Sequence, residues 1–134
     1  MIEDKRIYIV VAGTVQVPAP RRSVIQPPGR QIAQACHVVS KLRMKAMIEA
    51  KRTDTGDFTL TDPMTTIILQ ARDSSEMNHV WKLLLKKKLK PEVFFDTNAE
   101  AYGPGNGVLT GLAVFATKKQ IENVLDYLPL WGAQ

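Results

Sequence analysis

"RIYIVVA", residues 6–12, follows its arginine with β-branched, aromatic and small apolar side chains and almost no polar alternation. A strand wet on one face alternates apolar and polar residues, whereas a strand covered on both faces reads as a continuous apolar run. The stretch therefore predicts a buried strand in a sheet with helices on both sides. "MTTIILQA" (Met64–Ala71) and "VLTGLAVFA" (Val108–Ala116) have the same character, and "PEVFFD" (Pro91–Asp96) is a shorter strand between them.

Between these runs the apolar period lengthens to three or four. From Arg30 to about Ala50, the residues Ile32, Ala35, Val39, Leu42 and Ala46 predict the inward face of a helix. Arg30, Gln34, His37, Lys41 and Lys45 form a polar stripe facing away from it. Asp73 with Glu76 three residues later has the form of a capping box, opening a helix to about Leu89. Met77, Val80, Trp81, Leu84 and Leu85 form its apolar face, and Lys86, Lys87 and Lys88 suit the negative end of its dipole. Thr117 with Gln120 caps a last helix, with Ile121, Val124, Leu125 and Leu128 inward and Pro129 closing it. "GTVQVPAPRRSVIQPPG" holds four prolines and predicts a long surface loop over residues 13–28. "KRTDTGDFTLTDP" (residues 51–63) predicts a loop or short hairpin, and "TNAEAYGPGNG" (residues 97–107) a glycine-rich loop.

The order β-α-β-α-β-β-α predicts one α/β domain over residues 1–134. Its four-stranded mixed sheet lies between helices on both faces, as a three-layer α/β/α sandwich. The first three strands run parallel through right-handed crossovers. The fourth follows a loop of about ten residues, too short for a helical crossover, and is expected to be antiparallel. An apolar fraction of 45% and a charged fraction of 23% are those of a soluble globular chain. No apolar run approaches the roughly 20 residues that cross a bilayer, and the start is too acidic for a secretory leader, so a cytoplasmic location is expected. The single Cys36 excludes an internal disulfide and a cysteine metal pair, and is expected to fill the core. A net charge of +5 favours a polyanionic partner such as RNA.

Open α/β sheets bind ligands beyond the carboxyl ends of their strands. The start of the first helix at Gly29–Arg30, with its free backbone N–H groups, Asp96 at the end of the third strand, and the loop through Gly105 all meet that edge. Arg30, Gln34, His37 and Asp96 are thus drawn toward one rim. The plainer readings are a solvated arginine, an exposed histidine and an aspartate that only caps a turn. His79 is expected on the surface. Lys86–Lys88 and Lys90 read first as a solvated helix end and second as an RNA-backbone contact. The "GPGNG" stretch resembles a phosphate loop in composition only, without the Lys-Ser/Thr pair or a following helix.

"GRQIAQACHVV" resembles the helix-opening signature of the type II peptidyl-tRNA hydrolases, roughly Gly-Lys-x-x-x-Gln-x-x-His followed by small apolar residues. Gly29, Gln34 and His37 match, and Arg30 stands where the family has lysine. "DTNAEAYGPGNGVLTGLAVF" is similar to the family's Asp-Ala-Gly-x-Thr-Gln, Ala-Pro-Gly-Ser and strand with a late glycine, keeping Asp96, Pro104, Gly105 and Gly111 in register. The order of elements agrees over nearly the whole chain, although the Pro-rich loop is longer. The resemblance implies a mixed four-stranded sheet between helix layers, often in a homodimer. It implies an enzyme that cleaves the ester between a peptidyl (or N-blocked aminoacyl) group and the 3′ ribose of tRNA, with no metal or organic cofactor.

Carried over singly, the family's catalytic aspartate becomes Asp96, its lysine Arg30, its threonine Glu100 and the following glutamine Ala101. Arginine keeps the charge but cannot give up its proton. Asp96 or Glu100 is then the candidate general base, with Arg30 steadying an oxyanion or a phosphate and His37 on the same stripe. Gly29, Gln34, Lys41, Pro104 and Gly105 are the candidate substrate contacts. The alternative outcome of the same departures is a catalytically inactive member acting as an RNA- or protein-binding module, and a lesser one is a small-ester hydrolase using Asp96 and Glu100.

Overall fold

The computed structural model describes residues 5–53 and 65–132. The elements are β1 (Lys5–Pro18), β2 (Arg21–Ile25), α1 (Pro28–Thr53), β3 (Thr66–Asp73), α2 (Ser74–Lys86), β4 (Glu92–Asp96), α3 (Ala99–Tyr102) and β5 (Val108–Thr117). The fold is α/β, with a mixed sheet. β1 pairs in parallel with β3 and antiparallel with β5, and β5 pairs antiparallel with β4. These four strands and their directions are those expected from the sequence. The expected loop or hairpin over residues 51–63 falls partly on α1, which runs to Thr53, and otherwise outside the described residues.

The sheet has five strands rather than four, because the Pro-rich segment is a hairpin and not a loop. β1 continues to Pro18 and returns as β2, with Val15 opposite Val24 and Val17 opposite Arg22. Its distal half follows the period-two rule: Val15 and Val17 are buried, while Gln16 and Pro18 are exposed. The four prolines stand only at the ends of these strands and beyond them. Pro18 ends β1, Pro20 lies in the turn, and Pro27 and Pro28 follow β2, so none removes a hydrogen bond from inside the ladder.

Alternate residues of the sheet feed two cores. Ile7, Ile9, Val11 and Ala113 pack with Ala35, Val38 and Leu42 of α1. Tyr8, Val10, Leu112 and Val114 pack on the other face with Met77, Val80 and Leu84 of α2 and with Ile121, Val124, Leu125 and Leu128. Fully burying each aliphatic side chain stabilises by roughly 1.5–3 kcal/mol. The capping box of α2 forms as expected, with Glu76 N donating to Asp73 Oδ1 at 2.8 Å.

The expected last helix is instead a run of turns. Its capping pair is present, Thr117 N donating to Gln120 Oε1 at 2.8 Å and Gln120 N to Thr117 Oγ1 at 3.2 Å. Asn123 then adopts φ 64°, a left-handed conformation that asparagine tolerates, and its N–H turns to Asp126 Oδ1 at 3.0 Å. The apolar residues still reach the core, so burial survives where the helix does not. Beyond it, Gln70 N donates to Pro129 O and Trp131 N to Ile68 O, at 2.9 and 2.8 Å, covering the outer edge of β3.

The inward face of α1 is rotated from the expected one. Gln31, Gln34, Ala35, Val38 and Leu42 are buried, while Ile32 is 50% exposed and Cys36 is exposed rather than in the core. Two glutamines can be buried because each finds hydrogen-bond partners. Gly111 in β5 permits the close approach: a Cβ there would lie 3.3 Å from both Gln34 O and Val38 Cβ.

Candidate active site

The polar stripe of α1 does not face away from the protein. It runs along the edge strand β4. Gln34 Nε2 donates to Asp96 Oδ2 at 2.6 Å, the His37 ring stacks on Phe94 at 5.0 Å, and Lys41 Nζ donates to Val93 O at 2.9 Å. Lys45 pairs with the buried Glu92 at 2.8 Å, and that hydrogen bond, reinforced by the charge, raises the Lys45 pKa. An edge strand leaves carbonyls without sheet partners, and a helix carrying long polar side chains supplies them.

Asp96 closes β4 with its carboxylate fixed from two sides. Oδ2 accepts from Gln34, and Oδ1 accepts from Asn98 N at 3.0 Å. Gln34 is itself held, because Thr110 Oγ1 donates to its Oε1 at 3.0 Å. Its amide orientation is therefore set by a hydroxyl on one side and a carboxylate on the other. Asn98 caps α3 by accepting from Glu100 N and Ala101 N, at 3.0 and 3.2 Å.

Arg30 lies on the first turn of α1, over the Tyr102 ring at 5.9 Å, and donates to Gln26 Oε1 at 3.3 Å. Gln26 is 2% exposed and donates from Nε2 to Tyr102 Oη at 2.7 Å. Burial pushes the Tyr102 pKa up; the hydrogen bond from Gln26 and the Arg30 charge oppose this, and the Asp96 charge adds to it. The network continues away from the rim. Gln31 Nε2 donates to Gln26 O at 2.7 Å, and Gln31 Oε1 accepts from Gln70 Nε2 and Trp131 Nε1 at 2.8 and 2.9 Å. The hairpin joins it through Asn106 Nδ2, which donates to Ala19 O and Tyr102 O, both at 2.7 Å.

Of the residues singled out from the sequence, Gln34 and Asp96 are in direct contact. Arg30 meets Tyr102 and Gln26. His37 and Lys41 lie further along β4, on Phe94 and Val93. Glu100 is exposed at the start of α3, and no hydrogen bond joins it to Asp96 among the described residues. Gly29 is exposed with open space around it, and Pro104 and Gly105 form an exposed turn with Gly105 at φ 79°. Gln26, Asn98, Tyr102 and Thr110 were missed. Thr110 carried a signal, since a hydroxyl inside a buried apolar strand must find a partner.

The arrangement offers an oriented carboxylate at the end of β4 and, on the first turn of α1, a cation held over the Tyr102 ring. Among the described residues no helix is long and apolar enough to cross a membrane. A comparison with curated proteins gave no match. A family model described as peptidyl-tRNA hydrolase PTH2 matches residues 14–131.

Proposed function

The chain belongs to the type II peptidyl-tRNA hydrolase family, and on that premise we propose that it hydrolyses the ester joining a peptidyl or N-blocked aminoacyl group to the 3′ ribose of tRNA. The observation that carries the proposal is the Gln34–Asp96 hydrogen bond of 2.6 Å, between two residues in register with the family's glutamine and aspartate. Asp96 is the general base. Gln34 and the Asn98 N–H aim its carboxylate, and it takes a proton from a water as that water attacks the ester carbonyl. An arginine does not serve as an acid or a base, so the role of Arg30 is electrostatic. It steadies the oxyanion of the tetrahedral intermediate or a neighbouring phosphate. The proton held by Asp96 then goes to the departing 3′ oxygen.

Tyr102 and Gln26 support this division of labour by fixing the Arg30 guanidinium. The Glu100 that stands in place of the family's threonine is left outside these steps: it is exposed, and its backbone N–H donates to the Asn98 cap. Purified protein is expected to release free tRNA from N-acetyl-aminoacyl-tRNA, with Asp96→Asn lowering kcat by at least about 100-fold, the low end for loss of a general base. Absence of release by the wild-type protein at high concentration refutes the reading.

A further inference from the structure

Asp96 pairs with Val108 at one end of β5, and Lys5 pairs with Thr117 at the other. The nine steps from Val108 to Thr117, at about 3.3 Å each, put roughly 30 Å between the two ends. At the Lys5 end lies a cleft of about 480 Å³, with Leu42, Leu89 and Phe115 in its lining; Lys5, Lys45, Lys88 and Lys90 outnumber the two carboxylates there, Glu49 and the Lys45-paired Glu92.

Some of the lysines near this end have ordinary duties. Lys86 offsets the dipole of α2. Lys87 Nζ ties α2 to the turns beyond β5, donating to Gln120 O at 3.0 Å and Glu122 O at 2.6 Å. Lys45 is committed to Glu92. Lys88 and Lys90 have no carboxylate partner among the described residues, and the Lys5 ammonium lies 5.4 Å from the centre of the Phe115 ring. Lys88 also has φ 62°. It occupies the left-handed position that closes α2, where Lys88 N donates to Leu85 O at 2.9 Å and Leu89 N to Leu84 O at 3.1 Å. Glycine takes that position without steric cost. Lysine stands there at a backbone cost, and it lines the cleft.

We propose that this lysine cleft is a second contact for the phosphate backbone of RNA, holding the body of the tRNA whose esterified end lies at Asp96. The inference rests on the proposed hydrolase function. A small metabolite cannot span about 30 Å of strand; a folded RNA can. Lysines around an open cleft neutralise phosphates without reading bases, so such a contact is independent of the RNA's sequence.

The test is the double variant Lys88→Gly, Lys90→Gln. Because glycine relieves the left-handed residue, its Tm is expected at or above that of the wild type, which guards against a folding defect. Full-length deacylated tRNA is titrated at several salt concentrations. The variant is expected to bind several-fold more weakly, with the slope of log affinity against log salt smaller by up to about 2. KM for N-acetyl-aminoacyl-tRNA rises by the same factor at unchanged kcat, and a short oligonucleotide carrying only the 3′ end binds both proteins alike. Equal tRNA affinity and salt slope for the two proteins overturn the proposal, and do so as well if the variant instead loses binding to polyglutamate, which would assign the cleft to an acidic protein. Equal weakening for the short oligonucleotide also overturns it. If the wild type hydrolyses but the variant is indistinguishable, the cleft alone is refuted. If the wild type releases no tRNA, the hydrolase reading falls, and the binding comparison still decides the cleft.

Discussion

Tyr102 shows how one side chain joins charge, burial and position. Its hydroxyl is buried, accepts from Gln26, and lies near both Arg30 and Asp96, with burial the main cause of its raised pKa. The unfolded chain loses this proton near the usual tyrosine value of about 10, while the folded protein still holds it. Between the two values the folded state binds more protons, so stability falls as pH rises. The contribution is complete below about pH 10 and disappears as pH passes the folded value. Between about pH 8 and 11 the urea midpoint is expected to fall further for the wild type than for Tyr102→Phe, because the two proteins differ only in that hydroxyl. Parallel losses would show that the Tyr102 proton contributes nothing. Asp96 and Gln34 could be marked from their spacing, because each sits at a place set by periodicity and strand ends. Tyr102 and Gln26 could not, since what unites them is a hairpin that the prolines concealed.

At the level of elements, α1 and β5 are fitted together at Gly111. A methyl there would meet the backbone of Gln34 and the Val38 side chain at 3.3 Å, on the turn of α1 that carries Gln34 to Asp96. Gly111→Ala is expected to cost about 1–3 kcal/mol, as overpacking does, and to weaken turnover by shifting Gln34. Chemical denaturation with a parallel activity assay checks both, and an unchanged midpoint would show that the helix yields freely. Four strands, their directions and both long helices were legible because each has a hydrophobic period of its own. The rotation of α1 was not, because burying Gln31 and Gln34 depends on partners in β3, β4 and β5 that lie far away in sequence. The failed last helix was equally hidden. Its cap and apolar residues are correct, but the break at Asn123 is a matter of backbone conformation at one position.

Across the whole molecule, the sheet is built around β1, which pairs with β2, β3 and β5. Its first half is covered on both faces and bonded on both edges, whereas Pro18 and the turn after it are exposed. Hydrogen exchange is expected to be slowest at Ile7–Val11 and Leu112–Val114, near the global unfolding limit, and measurably faster at the tip of the β1–β2 hairpin. Uniform protection along β1 would show that the hairpin opens only with the core. One contact at the far edge also makes the molecule optically informative. The Trp131 indole donates to Gln31, whose other end holds the Gln26 backbone, and Gln26 in turn holds Arg30. Emission from an indole responds to the polarity and rigidity of its hydrogen-bond acceptor, so an anion captured by Arg30 would be read out as a change in Trp131 fluorescence. With Trp81 replaced by phenylalanine, the protein carries a built-in reporter, and occupancy of the rim can be followed without any attached dye.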